Sequence, residues 1–74
     1  MTRKFRIQRV GPERVGDIIE HRVPLGLFLT KEGGRWVAVD NRDGDAWTED
    51  FRRKCHAVRW LRDGGSSAYA HIDS

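Results

Sequence analysis

Metal-ligating side chains are few in this chain: His21, His56, His71 and Cys55. A zinc site takes its ligands from pairs at short fixed spacing. Cys55 and His56 are adjacent, and neighbouring side chains on a helix diverge by about 100°, so the two cannot easily share an ion. No other spacing fits, and no metal or cofactor is expected. The run Asp40-Asn-Arg-Asp-Gly-Asp45 has the composition of a calcium loop but the wrong phase. Setting Gly44 at the sixth position puts Val39 at the first and Asp50, not Glu, at the twelfth. A hairpin turn explains it better, with Asp and Asn bonding the local backbone.

Catalytic groupings are equally hard to assemble. Cys55 would need a base within reach and partial exposure to act as a nucleophile; its position predicts the buried side of a helix, where cysteine behaves as a small hydrophobe. Glu49 and Asp50 are neighbours on a predicted strand and face opposite ways, so they form no carboxylate pair. Gly33-Gly34 and Gly64-Gly65 lack the strand–loop–helix setting of a phosphate loop. The expectation is a protein that binds rather than catalyses.

The residues suited to binding are basic. Residues 1–10 hold Arg3, Lys4, Arg6 and Arg9 without an acid, and residues 52–62 hold Arg52, Arg53, Lys54, Arg59 and Arg62, again without one. Between them, residues 25–51 carry six Asp or Glu against three Lys or Arg. Two basic segments around an acidic hairpin fit the pattern of a nucleic-acid footprint. Charge complementarity within the fold is the plainer alternative, because charge runs usually form solvated faces.

Seventy-four residues with a net charge of +3 allow one domain. Its core must lean on Trp36, Trp47, Trp60, Phe5, Phe28 and Phe51, which leaves little room for a deep pocket as well. A single cysteine rules out an internal disulfide and suits a reducing, cytoplasmic setting. No apolar run approaches the roughly 18 residues that span a bilayer, and basic Met1–Lys4 is not followed by the apolar stretch of a signal peptide. Membrane is therefore not an expected partner.

The elements that would position these groups follow from the sequence pattern. Residues 4–10 alternate as a half-buried strand and end at Gly11-Pro12. Residues 13–23 fit either a helix, through Val15, Ile18, Ile19 and Val23, or a short strand, since Gly16 weakens a helix. Residues 25–31 and 35–40 read as strands joined by a turn at Glu32-Gly33-Gly34. A second turn at residues 41–44 leads to a third strand at 45–50, and a helix follows over 53–62, stopped near Gly64. A longer helix starting at Asp45 or Thr48 competes with the third strand. Residues 1–64 form the expected domain and 65–74 a loosely held tail, in which residues 68–72 offer an edge strand. The fold class is α+β: a three-stranded antiparallel sheet, extendable by an N-terminal strand, packed by one C-terminal helix. An SH3-like barrel is the alternative.

Strand alternation puts Trp36 and Ala38 on one face with Trp47 and Phe51, beneath the helix, and Val37, Val39, Ala46 and Thr48 on the other. Cys55, Val58 and Leu61, flanked by Ala57, would form the helix's buried arc. Trp60 then falls on the outer side of the helix beside Arg53 and His56, near Arg52 and Arg59, where nucleic acid could stack and be held by its phosphates; the plainer alternative is that it lies over the N-terminal strand or the tail as part of the core. The Val37/Val39 face needs a cover, either from the N-terminal segments or from a second copy.

The run Gly34-Arg-Trp-Val-Ala-Val-Asp40 with Asp45-Ala-Trp47, Phe51, Ala57 and Trp60-Leu61 resembles short uncharacterised domains of phage and mobile elements. More distantly, residues 25–62 resemble AP2-type and integrase N-terminal DNA-binding domains, built of three strands and a helix. That resemblance implies core roles for Trp36, Ala38, Phe51 and Ala57, and a contacting role for Trp47. Val37 and Val39 depart from it, replacing charged DNA-facing residues, and Leu25-Gly-Leu-Phe-Leu29 replaces an arginine-rich first strand. The expected function is a small basic accessory module contacting DNA or RNA through Arg3, Lys4, Arg6, Arg9, Arg52, Arg53, Arg59 and Trp60. The alternative is a protein–protein module, either a homodimer or an inhibitor or adaptor on another protein.

Overall fold

The computed structural model describes residues 5–63. The expected tail, the Gly64 cap, His71, Arg3 and Lys4 lie outside the described residues. The elements run β1 (Ile7–Arg9), α1 (Pro12–His21), β2 (Gly26–Glu32), β3 (Arg35–Asn41), β4 (Trp47–Phe51) and α2 (Lys54–Arg62). They form an α+β fold around a mixed sheet of order β1-β2-β3-β4. The sheet is open, with β1 and β4 as its edges, so it is not an SH3-like barrel.

Strands β2, β3 and β4 are the predicted antiparallel meander. Gly33 and Gly34, at φ 57° and 78°, close the first hairpin with the two left-handed residues that a tight turn of this hand demands. Strand β1 is the anticipated extra strand, and it runs parallel to β2, pairing Ile7 with Leu27 and Arg9 with Leu29. Parallel neighbours need a crossover, which resolves residues 13–23 as helix. Pro12 opens α1, its fixed φ suiting the first turn. Val15 and Ile18 bury one side of the helix, and Arg22, in the left-handed region, ends it by donating its N–H to the Ile18 carbonyl at 2.6 Å.

Each sheet face carries one helix and one apolar cluster. On the first face, α2 places Ala57, Trp60 and Leu61 against Leu27, Leu29 and Ala38. On the second, α1 places Val15 and Ile18 against Phe28, Val39 and Ala46. The register pairs Trp36 with Phe51, Ala38 with Glu49 and Val39 with Thr48, so the alternation of faces is as expected, but Trp47 is 48% exposed and is not part of the core beneath the helix. The chain itself covers the Val37/Val39 face: Val39 is fully buried and Val37 half-buried.

Two expectations for α2 need correction. Trp60 is buried, 9% exposed, with its ring 6.0 Å from that of Phe51, and Cys55 is exposed. The arc that packs is Ala57–Trp60–Leu61 with Val58 beside it. It is rotated from the Cys55 side because a tryptophan has far more apolar surface to remove from water than a cysteine. The β3–β4 turn also begins later than expected, occupying residues 42–46.

That loop is held by Asn41, fully buried at the end of β3. Its Nδ2 donates to the Pro24 carbonyl at 2.8 Å, and its Oδ1 accepts the Ala46 N–H at 3.0 Å. Ala46 sits at φ 51°, a conformation unfavourable for a side chain with Cβ, so this bond helps keep the loop in place. Asn41→Ala strands both backbone groups and is expected to lower stability by about 2–3 kcal/mol in urea unfolding; a loss below about 0.5 kcal/mol would contradict this role. Gly16 is an exposed residue inside α1 with open space where a Cβ would stand. Gly16→Ala is therefore expected to stabilise the fold by about 0.5–1 kcal/mol in the same measurement.

Candidate nucleic-acid interface

The basic residues of the two predicted segments meet on the first face, beside α2. Arg9 projects from β1 on the same face as Ile7, and Lys31, at the end of β2, pairs across the sheet with Trp36 of β3. Lys54 begins α2. All three cations reach the half-buried Trp36 ring: the Arg9 guanidinium carbon lies 4.7 Å from its centroid, Lys31 Nζ 5.5 Å and Lys54 Nζ 5.6 Å. The negative face of the indole attracts each of them. Among the described residues, none of the three forms an ion pair; the pairs present are Arg35–Asp50, Arg42–Asp40 and Arg59–Asp63.

The N-terminus of α2 adds to this positive field. Arg53 is its N-cap, no side chain caps it by a hydrogen bond, and its first turn holds no acid. Arg52 and Arg53 are exposed just before it. The helix dipole and these cations have the same sign there, an arrangement that costs stability unless an anion answers it.

A second basic group lies towards the other end of α2. A cavity of about 700 Å³ is lined by Phe5, Arg6, Ile7, Leu27, Leu61, Arg62 and Arg42. The chain thus forms an open cavity as well as its core, against the sequence expectation. It exists because α2 packs chiefly on β3 and β4, leaving β1 without a helix over it on this face.

Arg42 grips the buried Asp40 with Nε at 2.9 Å and Nη2 at 2.8 Å. Its pKa is raised, first by that hydrogen bonding, so it stays charged while Asp40 answers the charge. The turn otherwise behaves as the sequence suggests, with Asp43 accepting the Asp45 N–H at 3.1 Å.

The structure therefore sorts the predicted contact residues. Arg9 joins the Trp36 cluster and Arg6 the cavity rim. Arg52 and Arg53 are exposed near the start of α2. Arg59 stands apart, 3.9 Å from Asp63 in an exposed i,i+4 pair. Trp60 is unavailable for stacking because it is core. Lys31, Lys54, Arg42 and Arg62 are the basic members that the predicted set lacks. Lys54 and Arg62 stand eight apart, with Val58 midway, and i,i+4 spacing puts the three on one helix stripe.

Asp17, Glu20 and His21 gather on the exposed side of α1, with ligand atoms within 4.8 Å of one another. That grouping requires residues 13–23 to be helical, which the sequence pattern left open. Among the described residues, no helix is long and apolar enough to cross a membrane.

Cys55 lies on the solvent side of α2. The folded protein is expected to react with an aromatic disulfide reagent at a rate within about tenfold of the unfolded chain. Protection by a hundredfold or more would place the thiol in the core instead.

In comparison with known proteins, no family model matches this chain, and no curated protein or solved structure shows significant similarity to it.

Proposed function

We propose that this chain is a non-catalytic nucleic-acid-binding module whose main phosphate contacts are Arg9, Lys31 and Lys54, with Arg6, Arg52, Arg53 and Arg62 extending the surface. The observation that carries this reading is the convergence of three cations, unpaired by any acid among the described residues, on the single Trp36 ring. Like charges held this close repel, and a polyanion relieves that repulsion while releasing its own counterions. The indole fixes where the cations stand, so less ordering remains to be done on binding.

Both sheet faces carry helices, so the proposed surface is the part of the first face left beside α2, where Arg9, Lys31 and Trp36 project. Binding is expected to weaken steeply with salt. Replacing Arg9, Lys31 and Lys54 together with glutamine should reduce the slope of log affinity against log salt by about 2–3. Stability in urea should change little, since the loss of the cation–π attraction to Trp36 and the relief of repulsion among the three side chains oppose each other. Fluorescence anisotropy with labelled single-stranded and duplex DNA and RNA measures both slope and affinity. Absence of binding to every probe at low salt would defeat the proposal, as would an unchanged slope in the triple variant.

A further inference from the structure

The cavity between β1 and the end of α2 has a composition that the phosphate contacts do not explain. Its floor is apolar: Leu27 and Leu61 are buried, and Ile7 and the Phe5 ring are half-buried beside them. Its rim is cationic, with Arg6 and Arg62 exposed and, among the described residues, in no ion pair. Arg42 is held on one side by Asp40 through Nε and Nη2, a grip in which Nη1 takes no part. A volume of about 700 Å³ lies within the range of small-ligand sites. An apolar floor under a guanidinium rim suits a flat, hydrogen-bonding ring attached to an anion.

We infer that this cavity receives one unstacked base of a single-stranded nucleic acid whose backbone runs along the α2 flank to the Arg9–Lys31–Lys54 cluster. The inference rests on the nucleic-acid reading above and adds to it a substrate class, the single strand, and a second contact point. Lys54 and Arg62 lie on the same stripe of α2, separated by about 12 Å of helix rise, which a short run of single strand bridges. Phe5 supplies the aromatic face on which a base stacks regardless of its identity. Arg6 and Arg62 meet the adjoining phosphates, and Arg42 offers Nη1 to an acceptor on the base edge. A paired base reaches such a cavity only by leaving its stack, so the site favours a strand already open.

Three probes of equal length test this on the full chain at low salt by fluorescence anisotropy: oligothymidylate, an abasic sugar–phosphate strand, and a duplex. Oligothymidylate is expected to bind about tenfold more tightly than the abasic strand, and more tightly than the duplex. Phe5→Leu keeps an apolar side chain but removes the ring. It should abolish most of that advantage while leaving abasic-strand affinity unchanged, with the variant still folded at the binding temperature by circular dichroism. Equal affinity for abasic strand and oligothymidylate overturns the base site and leaves the phosphate reading intact. Tighter binding of the duplex, or a Phe5→Leu variant with its advantage preserved, also overturns it. Failure of all three probes, and of their RNA counterparts, to bind removes both proposals together.

Discussion

Strands β2 and β3 run through the middle of the sheet, and both of their faces must be shielded from water. That demand for two apolar covers organises the rest of the domain. Leu27, Leu29 and Ala38 look one way while Phe28 and Val39 look the other, so neither helix could be spared. In a chain of 74 residues each cover is short. One is the crossover α1, which also satisfies the geometry of a parallel β1–β2 pair. The other is α2, whose Trp60 and Leu61 supply the larger apolar surface.

The same economy shapes the candidate interface. A nine-residue helix set over β3 and β4 cannot also roof β1, and the uncovered strip becomes a groove with an apolar base. Its borders are cationic because the basic residues of the N-terminal strand and of α2 have that flank as their nearest route to water. Long side chains such as Arg9, Lys31 and Lys54 lay their stems along the protein and keep their charges solvated. Trp36, half-buried near the start of β3, draws the three heads together. Among the described residues no acid pairs with this cluster, while Asp40 neutralises Arg42 in the β3–β4 turn, so charge is compensated at one place and left open at another.

Much of the frame was legible before any coordinates. The paired glycines, the β-branched and aromatic run Trp36–Val39, and the Asn–Asp–Gly turn all state local preferences that the meander obeys. The division of Trp36 and Ala38 from Val37 and Val39 follows from strand alternation alone. The rotation of α2 was not legible, because the apolar arcs built on Cys55 and on Trp60 overlap, and only the volume beneath the helix chooses between them. Residues 13–23 were ambiguous for a related reason: Gly16 lowers helix propensity, and the parallel pairing that requires a helix there is a long-range fact.

Local sequence thus determined the antiparallel meander, the α+β class and the abundance of cations at both ends of the pattern. Tertiary structure alone decided which cations meet. Arg9, Lys31 and Lys54 are far apart in sequence, and so are Phe5, Leu27 and Leu61. Contacts between distant residues depend on strand order and on where a helix settles, which are set by the shape left over once the core has closed. Periodicity reports the face on which a side chain lies; it does not report the neighbour that waits across the gap.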